Sequence, residues 1–580
     1  MRQQYAVRSL ILVILLALAG VAIPVQLLRI QYSNQAKEFL LQGDRYSGEF
    51  QTIYPERGEI YDRNGHLLAG NRTVYEVGVS LSEMTDAHAL AYALATYLGL
   101  SQDDVYNKLV NSPKTWEYVV IQDYVGADTV NSLQGLIKQM SDEGDKRLSG
   151  LAFKPHFQRS YPEDTLASNL LGFVARDGRG YFGIEEKYND LLAGNPVQVW
   201  VPSDPNKAMD IPKVPDGTTL VLTIDRDLQA KVETILDQSL SKYGAKNGTV
   251  IVMDPHNGEI LAMASSPRMD LNNYSNYFKL YDDGSQYNRS IGSAYEPGSV
   301  LKVLTMAAAL DTGTVNPNTT FMDTGAIEVG GIVIRNWNRD AWGEQNMVGC
   351  LQHSLNVCLA WVATQMGVQN FYSYMERFGL GHPTGIDLSG ETAGRLKIPG
   401  DADWYPVDLG TNAFGQGVSV TPMQMLMAVS SVANNGHMVT PHVLYSMLRD
   451  GHQYNVPPQY AGSPITAQTA HTLTDMLAAS LEQESSQALL PGYRLAGKTG
   501  TAQIPTEYGY DATHTNASFI GWGPVDDPRF MIYVWLEQPS ASIWSSETAA
   551  PVFAEVAEQT VISLNLPPDV VRSQLQPTGQ

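Results

Sequence analysis

Cysteine is nearly absent: Cys350 and Cys358 are the two among 580 residues. A disulfide framework is therefore excluded as the main source of stability, which must come from burial. Placed on one helix, cysteines eight residues apart would sit about 12 Å apart along the axis, beyond disulfide reach. Basic residues are also scarce, 38 against 60 acids for a net charge of -22. A polyanion partner needs clustered lysine and arginine to replace counterions, so DNA and RNA are excluded as partners. The 11 histidines show no metal-ligand spacing, and neither a metal nor a cofactor is expected. Repeats and low-complexity tracts are missing from about Gly70 to Pro215.

A chain of this length that is 43% hydrophobic has material for two or more packed domains. Residues Leu10 to Leu28 form an apolar run, interrupted by Pro24 and Gln26, that at about 1.5 Å per residue matches the ~30 Å hydrocarbon layer. Arg2 and Arg8 precede the run and Arg29 follows it; the positive-inside rule then puts residues 1–8 in the cytoplasm, an anchor at 9–29, and the remainder outside. A cleaved signal peptide is the competing reading. Ala17-Leu18-Ala19 resembles its cleavage site, but the apolar stretch continues past it.

Residues 30–215 read as a polar, helix-compatible stalk to Phe50 and then an α+β module opening at Arg57-Gly58-Glu59-Ile60-Tyr61-Asp62-Arg63-Asn64-Gly65, whose Asn-Gly pair predicts a hairpin turn. A larger α+β unit spans 216–565. It opens with a strand at Thr219 to Ile224, Asp225 as a helix cap, and a helix with Leu228, Val232, Ile235 and Leu236 on one side. Thr249 to Met253 and Glu259 to Ala264 flank Asp254-Pro255-His256-Asn257-Gly258 as an antiparallel hairpin. The unit closes with a strand near Phe530 to Trp535 and a helix from Ala549 to Ile562. Residues 566–580 are expected to be a disordered tail.

The chemistry concentrates in three short segments. Glu296-Pro297-Gly298-Ser299-Val300-Leu301-Lys302 breaks the chain just before a helix and sets Ser299 and Lys302 on one face. A serine hydroxyl is a poor nucleophile at neutral pH, and an adjacent amine that accepts its proton supplies the activation. Ser354-Leu355-Asn356 and Lys498-Thr499-Gly500-Thr501 follow in order. Each is weak alone: Ser239 and Lys242 repeat the first spacing inside a helix as a solvated pair, and Ser563-Leu564-Asn565 repeats the second after the third. Helical context sets the first aside, and order and context reject the second.

With these motifs in order the chain resembles the penicillin-recognising serine enzymes. Its amino-terminal module resembles that of the class B penicillin-binding proteins, on the segment beginning Arg57-Gly58-Glu59, on Arg159-Ser160-Tyr161-Pro162, and on Gly183-Ile184-Glu185. Gly379-Leu380-Gly381, Gly415-Gln416-Gly417 and Thr421-Pro422 extend the match, whereas Ser389-Gly390-Glu391 departs from an expected Pro-Gly-Glu. The resemblance implies an α+β fold: one transmembrane helix, an extended pedestal or dimerisation-type domain, and a transpeptidase domain with an antiparallel sheet flanked by helices, like that of serine β-lactamases.

It also implies roles. Ser299 attacks the penultimate D-alanine carbonyl, neutral Lys302 takes the hydroxyl proton, Ser354 relays protons, and Asn356 holds the donor stem. Lys498 favours the neutral form of Lys302 and attracts the terminal carboxylate, with Thr499 and Thr501 as hydroxyl donors to it. Gly500 lets the substrate backbone approach the strand, and the backbone N–H groups of Ser299 and Thr501 form an oxyanion hole worth ~3 to 4 kcal/mol per donor. His353, beside Ser354, is read as a packing or surface residue.

The implied function is a peptidoglycan DD-transpeptidase, inhibited covalently by β-lactams. Glu296 before Pro-Gly-Ser, and asparagine at 356, resemble the division-type members; the elongation type is the alternative. Implied partners are peptidoglycan stem peptides on lipid-linked nascent glycan, a multi-spanning glycosyltransferase of the shape, elongation, division and sporulation (SEDS) family, and other division membrane proteins. The rivals are a carboxypeptidase or β-lactamase-like hydrolase, and a non-catalytic β-lactam sensor or scaffold.

Overall fold

The computed structural model describes residues 2–32, 48–113, 115–202, 214–281, 286–507 and 509–575. The chain divides into two units, Met1–Glu56 with Gly194–Asp216, and Arg57–Ala193 with Gly217–Gln580.

In the larger unit, five antiparallel strands lie in the order Ile260–Ser265, Asn247–Met253, Phe530–Glu537, Gly509–Gly523, Ala496–Thr506. The Thr249 to Met253 and Phe530 to Trp535 runs are continuously apolar because both faces of this sheet are covered. Val250, Val252, Ile532 and Val534 pack into one core with helices Arg226–Tyr243 and Ala549–Ser563. Ile251, Met253, Met531 and Tyr533 alternate with them and face a second core, built with helices Lys302–Asp311, Asn356–Met366 and Pro422–Ala433. The hairpin expected around Asp254 is present, with Thr249 opposite Ser265. Asp225 caps its helix by accepting from the N–H groups of Asp227 and Leu228.

A second sheet joins both halves of the larger unit. Its strands run His452–Asn455, Leu444–Arg449, Thr219–Leu222, Ile60–Tyr61, Leu67–Ser80, Tyr118–Gly126, with Leu151–Ser160 also paired to Leu67–Ser80. Gly65 takes φ +87° in the Asn-Gly turn, and the fully buried Asp62 holds that turn by accepting from the N–H groups of Asn64, His66 and Arg226. The three amino-terminal marker segments converge on one buried carboxylate. Glu185 receives Arg57 Nε at 2.8 Å, Arg159 Nε at 2.7 Å and the Tyr161 hydroxyl at 3.3 Å. A carboxylate with no exposure needs such charged partners to stay ionised, and the two guanidiniums hold it below the usual range against the effect of burial.

The smaller unit contains helix Arg2–Gln31 and the antiparallel strands Gly48–Ile53 and Val197–Pro202, with Phe50 and Trp200 in edge contact at 5.0 Å. Among the described residues no helix is long and apolar enough to cross a membrane. The expected anchor therefore rests on the sequence, to which the fold adds that Leu15, Leu16, Val21 and Ile23 are exposed on that helix.

Three expectations change. The polar stalk was drawn to Phe50, but Gly48 to Phe50 are already strand; its residues 33–47 lie outside the described residues. Within the tail drawn at 566–580, Asp569–Leu575 is a helix: Asp569 accepts from the Arg494 N–H at 2.6 Å and pairs with Arg572 at 2.9 Å, while 576–580 lie outside the described residues. Finally, Cys350 and Cys358 form a disulfide. They are not on one helix: Met347–Gln352 ends, Ser354 turns the chain at φ +52°, and Asn356–Met366 begins in a new direction. The two Cα atoms are thereby brought to 6.1 Å, inside the range a disulfide spans.

Candidate active site

Ser299 lies in a single 3₁₀ turn, Gly298–Leu301, that runs into helix Lys302–Asp311. Strand Ala496–Thr506 and the loop at Gly415 clamp this turn so closely that two positions admit only glycine. Gly298 has φ +57°, and a Cβ on it would meet Thr501 O at 2.9 Å and Ala502 Cβ at 3.0 Å. A Cβ on Gly500 would meet Ser518 Oγ at 2.4 Å, Val300 Cγ1 at 2.8 Å and Pro297 O at 3.0 Å. The Gly298 N–H donates to Gly415 O at 3.1 Å. Gly500 thus serves the packing of the strand on the Ser299 turn, a more specific reason for glycine there than room for a substrate backbone.

Lys302 is fully buried. Its Nζ reaches Ser354 O at 2.6 Å, Asn356 Oδ1 at 2.9 Å and Ser354 Oγ at 3.1 Å. The left-handed backbone of Ser354, costing roughly 1 to 2 kcal/mol for a non-glycine residue, aims both oxygens of that residue at one amine. Burial first, and then the positive charge of Lys498, push the Lys302 amine well below its usual value. A neutral amine has two N–H groups and one lone pair. The Ser354 carbonyl and Asn356 Oδ1 can only accept and so take the two N–H groups; the lone pair is left for a hydroxyl, that of Ser354 or Ser299. The Ser299 hydroxyl, half-buried, makes no hydrogen bond to any described residue.

Lys498 is 4% exposed, and burial brings its amine down to about 8 while Glu484 opposes the shift. Its Nζ donates to Thr499 Oγ1 at 3.1 Å and Thr499 O at 3.3 Å. The site therefore holds one amine that burial pushes well below its usual value and a second brought down to about 8.

Several neighbours carry no sequence signal. Ser545, fully buried, donates to Gly500 O at 2.5 Å, lies 2.8 Å from Thr501 Oγ1, and gives its own N–H to Thr501 Oγ1 at 3.2 Å. It fixes the Thr501 hydroxyl from 44 residues away, and no motif names it. Trp337 and Trp544 meet edge-on at 4.9 Å. The first lies two residues after Arg335, whose carbonyl accepts from Asn356 Nδ2, and the second precedes Ser545, so the pair links the two sides of the constellation. His353 stacks on Trp342 at 4.2 Å, and burial lowers its imidazole. The rejected pairs stay apart from all this: Ser239 is buried while Lys242 is exposed beside Glu555, and Asn565 terminates helix Ala549–Ser563. Ser239 is therefore a packing residue and not half of a solvated pair.

A family model described as penicillin binding protein transpeptidase domain matches residues 248–558, more than half of the chain, and one described as penicillin-binding protein dimerisation domain matches 52–208. The chain belongs to the penicillin-binding proteins. The order of the two matched domains is the class B arrangement within that family. This penicillin-binding protein is 33% identical over 539 residues to stage V sporulation protein D of Bacillus subtilis, covering 89% of this chain and 79% of the relative. It is 28% identical over 546 residues to peptidoglycan D,D-transpeptidase FtsI of Escherichia coli, covering 91% and 87%. The crystal structure of penicillin binding protein 2X from Streptococcus thermophilus superimposes with a TM-score of 0.74 at 25% identity, covering 90% of this chain and 82% of that one.

Proposed function

We propose that this penicillin-binding protein is a peptidoglycan D,D-transpeptidase acting through a Ser299 acyl-enzyme. The observation that carries the reading is the desolvated Lys302 amine, one helical turn beyond Ser299 and held by Ser354 and Asn356. The neutral amine accepts the Ser299 proton as Oγ bonds to the carbonyl carbon of the penultimate D-alanine. The N–H groups of Ser299 and Thr501 stabilise the oxyanion. Collapse breaks the peptide C–N bond, and the terminal D-alanine leaves with a proton relayed from Lys302 through Ser354. An amine of a second stem then attacks the ester carbonyl, loses its proton along the same path, and releases Ser299. Lys498 in its charged form, with Thr499 and Thr501, receives the carboxylate of the donor.

The further features of the reading are topology, partners and stage. The Leu10 to Leu28 run makes a single-pass anchor with residues 1–8 in the cytoplasm, and residues 30–215, the stalk and pedestal-type domain, and the catalytic domain at 216–565 lie outside the cytoplasmic membrane. Glycan polymerisation falls to a SEDS-family partner engaged by the anchor and pedestal; co-purification that survives deletion of residues 1–215 refutes this. Glu296 before Pro-Gly-Ser and Asn356 favour a division role, so a fluorescent fusion should gather at the septum, and even distribution along the wall refutes it.

The deciding experiment for the chemistry is labelling of the full-length protein with a fluorescent penicillin. Label should be lost in Ser299→Ala, persist in Ser239→Ala, and remain on the wild type for many minutes. Rapid release of label points to a hydrolase, and labelling of a folded Ser299→Ala protein refutes the nucleophile.

A further inference from the structure

Helix Asn356–Met366 begins on the residue that holds the Lys302 amine, and the residue at its N-cap cannot cap it. Leu355 makes no side-chain hydrogen bond to the first turn, where a helix leaves N–H groups without partners. The cap comes from another segment. Asn336, directly after strand Ile332–Arg335, accepts from the Val357 N–H through Oδ1 at 3.1 Å, and the Arg335 carbonyl accepts from Asn356 Nδ2 at 3.3 Å. A carbonyl can only accept, so it takes the nitrogen end of the Asn356 amide and leaves Oδ1 for Lys302. Arg335 and Asn336 together thus fix the start of the helix and the orientation of the amide that receives the Lys302 N–H.

Asp323 fixes Asn336 in turn. The two are 1% and 3% exposed. Asp323 Oδ1 accepts from the Gly325 N–H at 3.2 Å, and Oδ2 accepts from the Trp342 N–H at 2.9 Å. With both oxygens accepting, the Asn336 atom 2.7 Å from Oδ2 must be the amide nitrogen. The Asp340 carbonyl, 3.2 Å from the same atom, requires the same assignment. The end-for-end turn open to most asparagines is therefore closed to Asn336, and its oxygen is committed to Val357. Neither Asp323 nor Asn336 belongs to the three motifs, and both are too buried to meet a substrate; what they reach is Asn356.

We propose that Asp323 and Asn336 are positioning residues for the Lys302 base. The carboxylate orients the Asn336 amide, the amide caps the helix from outside, and the helix start presents Asn356 Oδ1 to Lys302 Nζ at 2.9 Å. The assignment rests on the transpeptidase reading above, in which Lys302 takes the Ser299 proton. Asn336→Ala removes the cap while leaving Ser299, Lys302, Ser354 and Asn356 chemically intact. Asp323→Asn keeps the shape, but its single remaining oxygen cannot serve three donors.

The test measures, on the full-length protein, the rate of acylation by a fluorescent penicillin and the fraction of protein labelled at saturation. Asn336→Ala and Asp323→Asn should each slow acylation by about tenfold or more, as misalignment by part of an ångström does, with the labelled fraction close to that of the wild type. A merely destabilised protein instead labels a smaller fraction at the wild-type rate. The control is Asp86→Ala, which removes the side chain that accepts from His88 N–H and Ala89 N–H at the start of helix Ala87–Leu98; it should leave the rate unchanged. In an Asn356→Ala background, itself slower, either substitution should slow acylation by less than about twofold more, because residues that act through Asn356 are not additive with it. The isosteric Asp323→Asn carries this cycle should Asn336→Ala not fold. A rate within about twofold of the wild type in the folded single variants overturns the proposal, and so does a full tenfold loss that persists without Asn356. Absence of label on the folded wild type, or label retained by Ser299→Ala, overturns the transpeptidase reading instead, and the positioning role with it.

Discussion

Gly500→Ala is the substitution whose consequence the geometry specifies most closely. The added methyl would sit 2.8 Å from Val300 Cγ1, 2.4 Å from Ser518 Oγ and 3.0 Å from the Pro297 carbonyl. Carbon atoms pack at about 3.5 to 4.0 Å, so Val300 must retreat by roughly 0.7 to 1.2 Å. Ser518 can rotate away, giving up its 3.2 Å hydrogen bond to Gly500 O. Val300 is fully buried and adjoins Ser299 in the same turn, so the retreat carries Ser299 with it. A displacement near 1 Å costs on the order of a hundredfold in rate, and overpacking a core costs about 1 to 3 kcal/mol. The expected result is a ten- to hundredfold slower acylation by fluorescent penicillin, with a lower melting temperature. Gly135→Ala is the matched control: that glycine is exposed in helix Ala127–Asp142 with nothing within 4 Å of the new methyl. It should leave acylation unchanged and stabilise by roughly 0.5 to 1 kcal/mol. Gly500→Ala acylating within twofold of the wild type would refute the claim that strand-to-turn contact positions Ser299.

Two other predictions concern charge. Lys498 is brought down to about 8, so acylation by carboxylate-bearing substrates should decline as pH rises through about 8, when its charge is lost. The same lysine favours the neutral form on folding, so the unfolded chain binds more protons between about 8 and its ordinary value near 10.4, and stability should rise with pH across that window. Activity falling while the melting temperature rises separates this titration from unfolding; parallel loss of both refutes it. In the amino-terminal region, Glu185→Ala would strand Arg57 and Arg159, both largely buried, without their carboxylate. Breaking a buried pair by removing one partner costs about 3 to 5 kcal/mol, so thermal melting should show clear destabilisation, and a melting temperature within about 1 °C of the wild type, roughly 1 kcal/mol for a unit of this size, would refute the role given to Glu185 and its two arginines.

What the sequence could determine was local or ordinal. Asn64-Gly65 predicts a hairpin turn, Asp225 caps the next helix, and Thr249 to Met253 reads as one arm of an antiparallel hairpin, because each depends on a few neighbouring residues. The three motifs were legible for a different reason: their order along the chain excluded Ser563, and the helical context around it set Ser239 aside, without any knowledge of space. Tertiary structure decided the rest. The disulfide was misjudged because axial distance was reckoned along one helix, whereas the left-handed Ser354 splits it into two. Asp569–Leu575 became helix because Arg494 and the Gly492 carbonyl engage Asp569, groups more than seventy residues away. Ser545 and the Trp337 and Trp544 pair have no pattern to find. Their significance is proximity and desolvation, and these arise when segments distant in the chain close around a common interior. The lysine spacing shows the division of labour: sequence set Lys302 one turn from Ser299, but only burial and the charge of Lys498 push that amine well below its usual value.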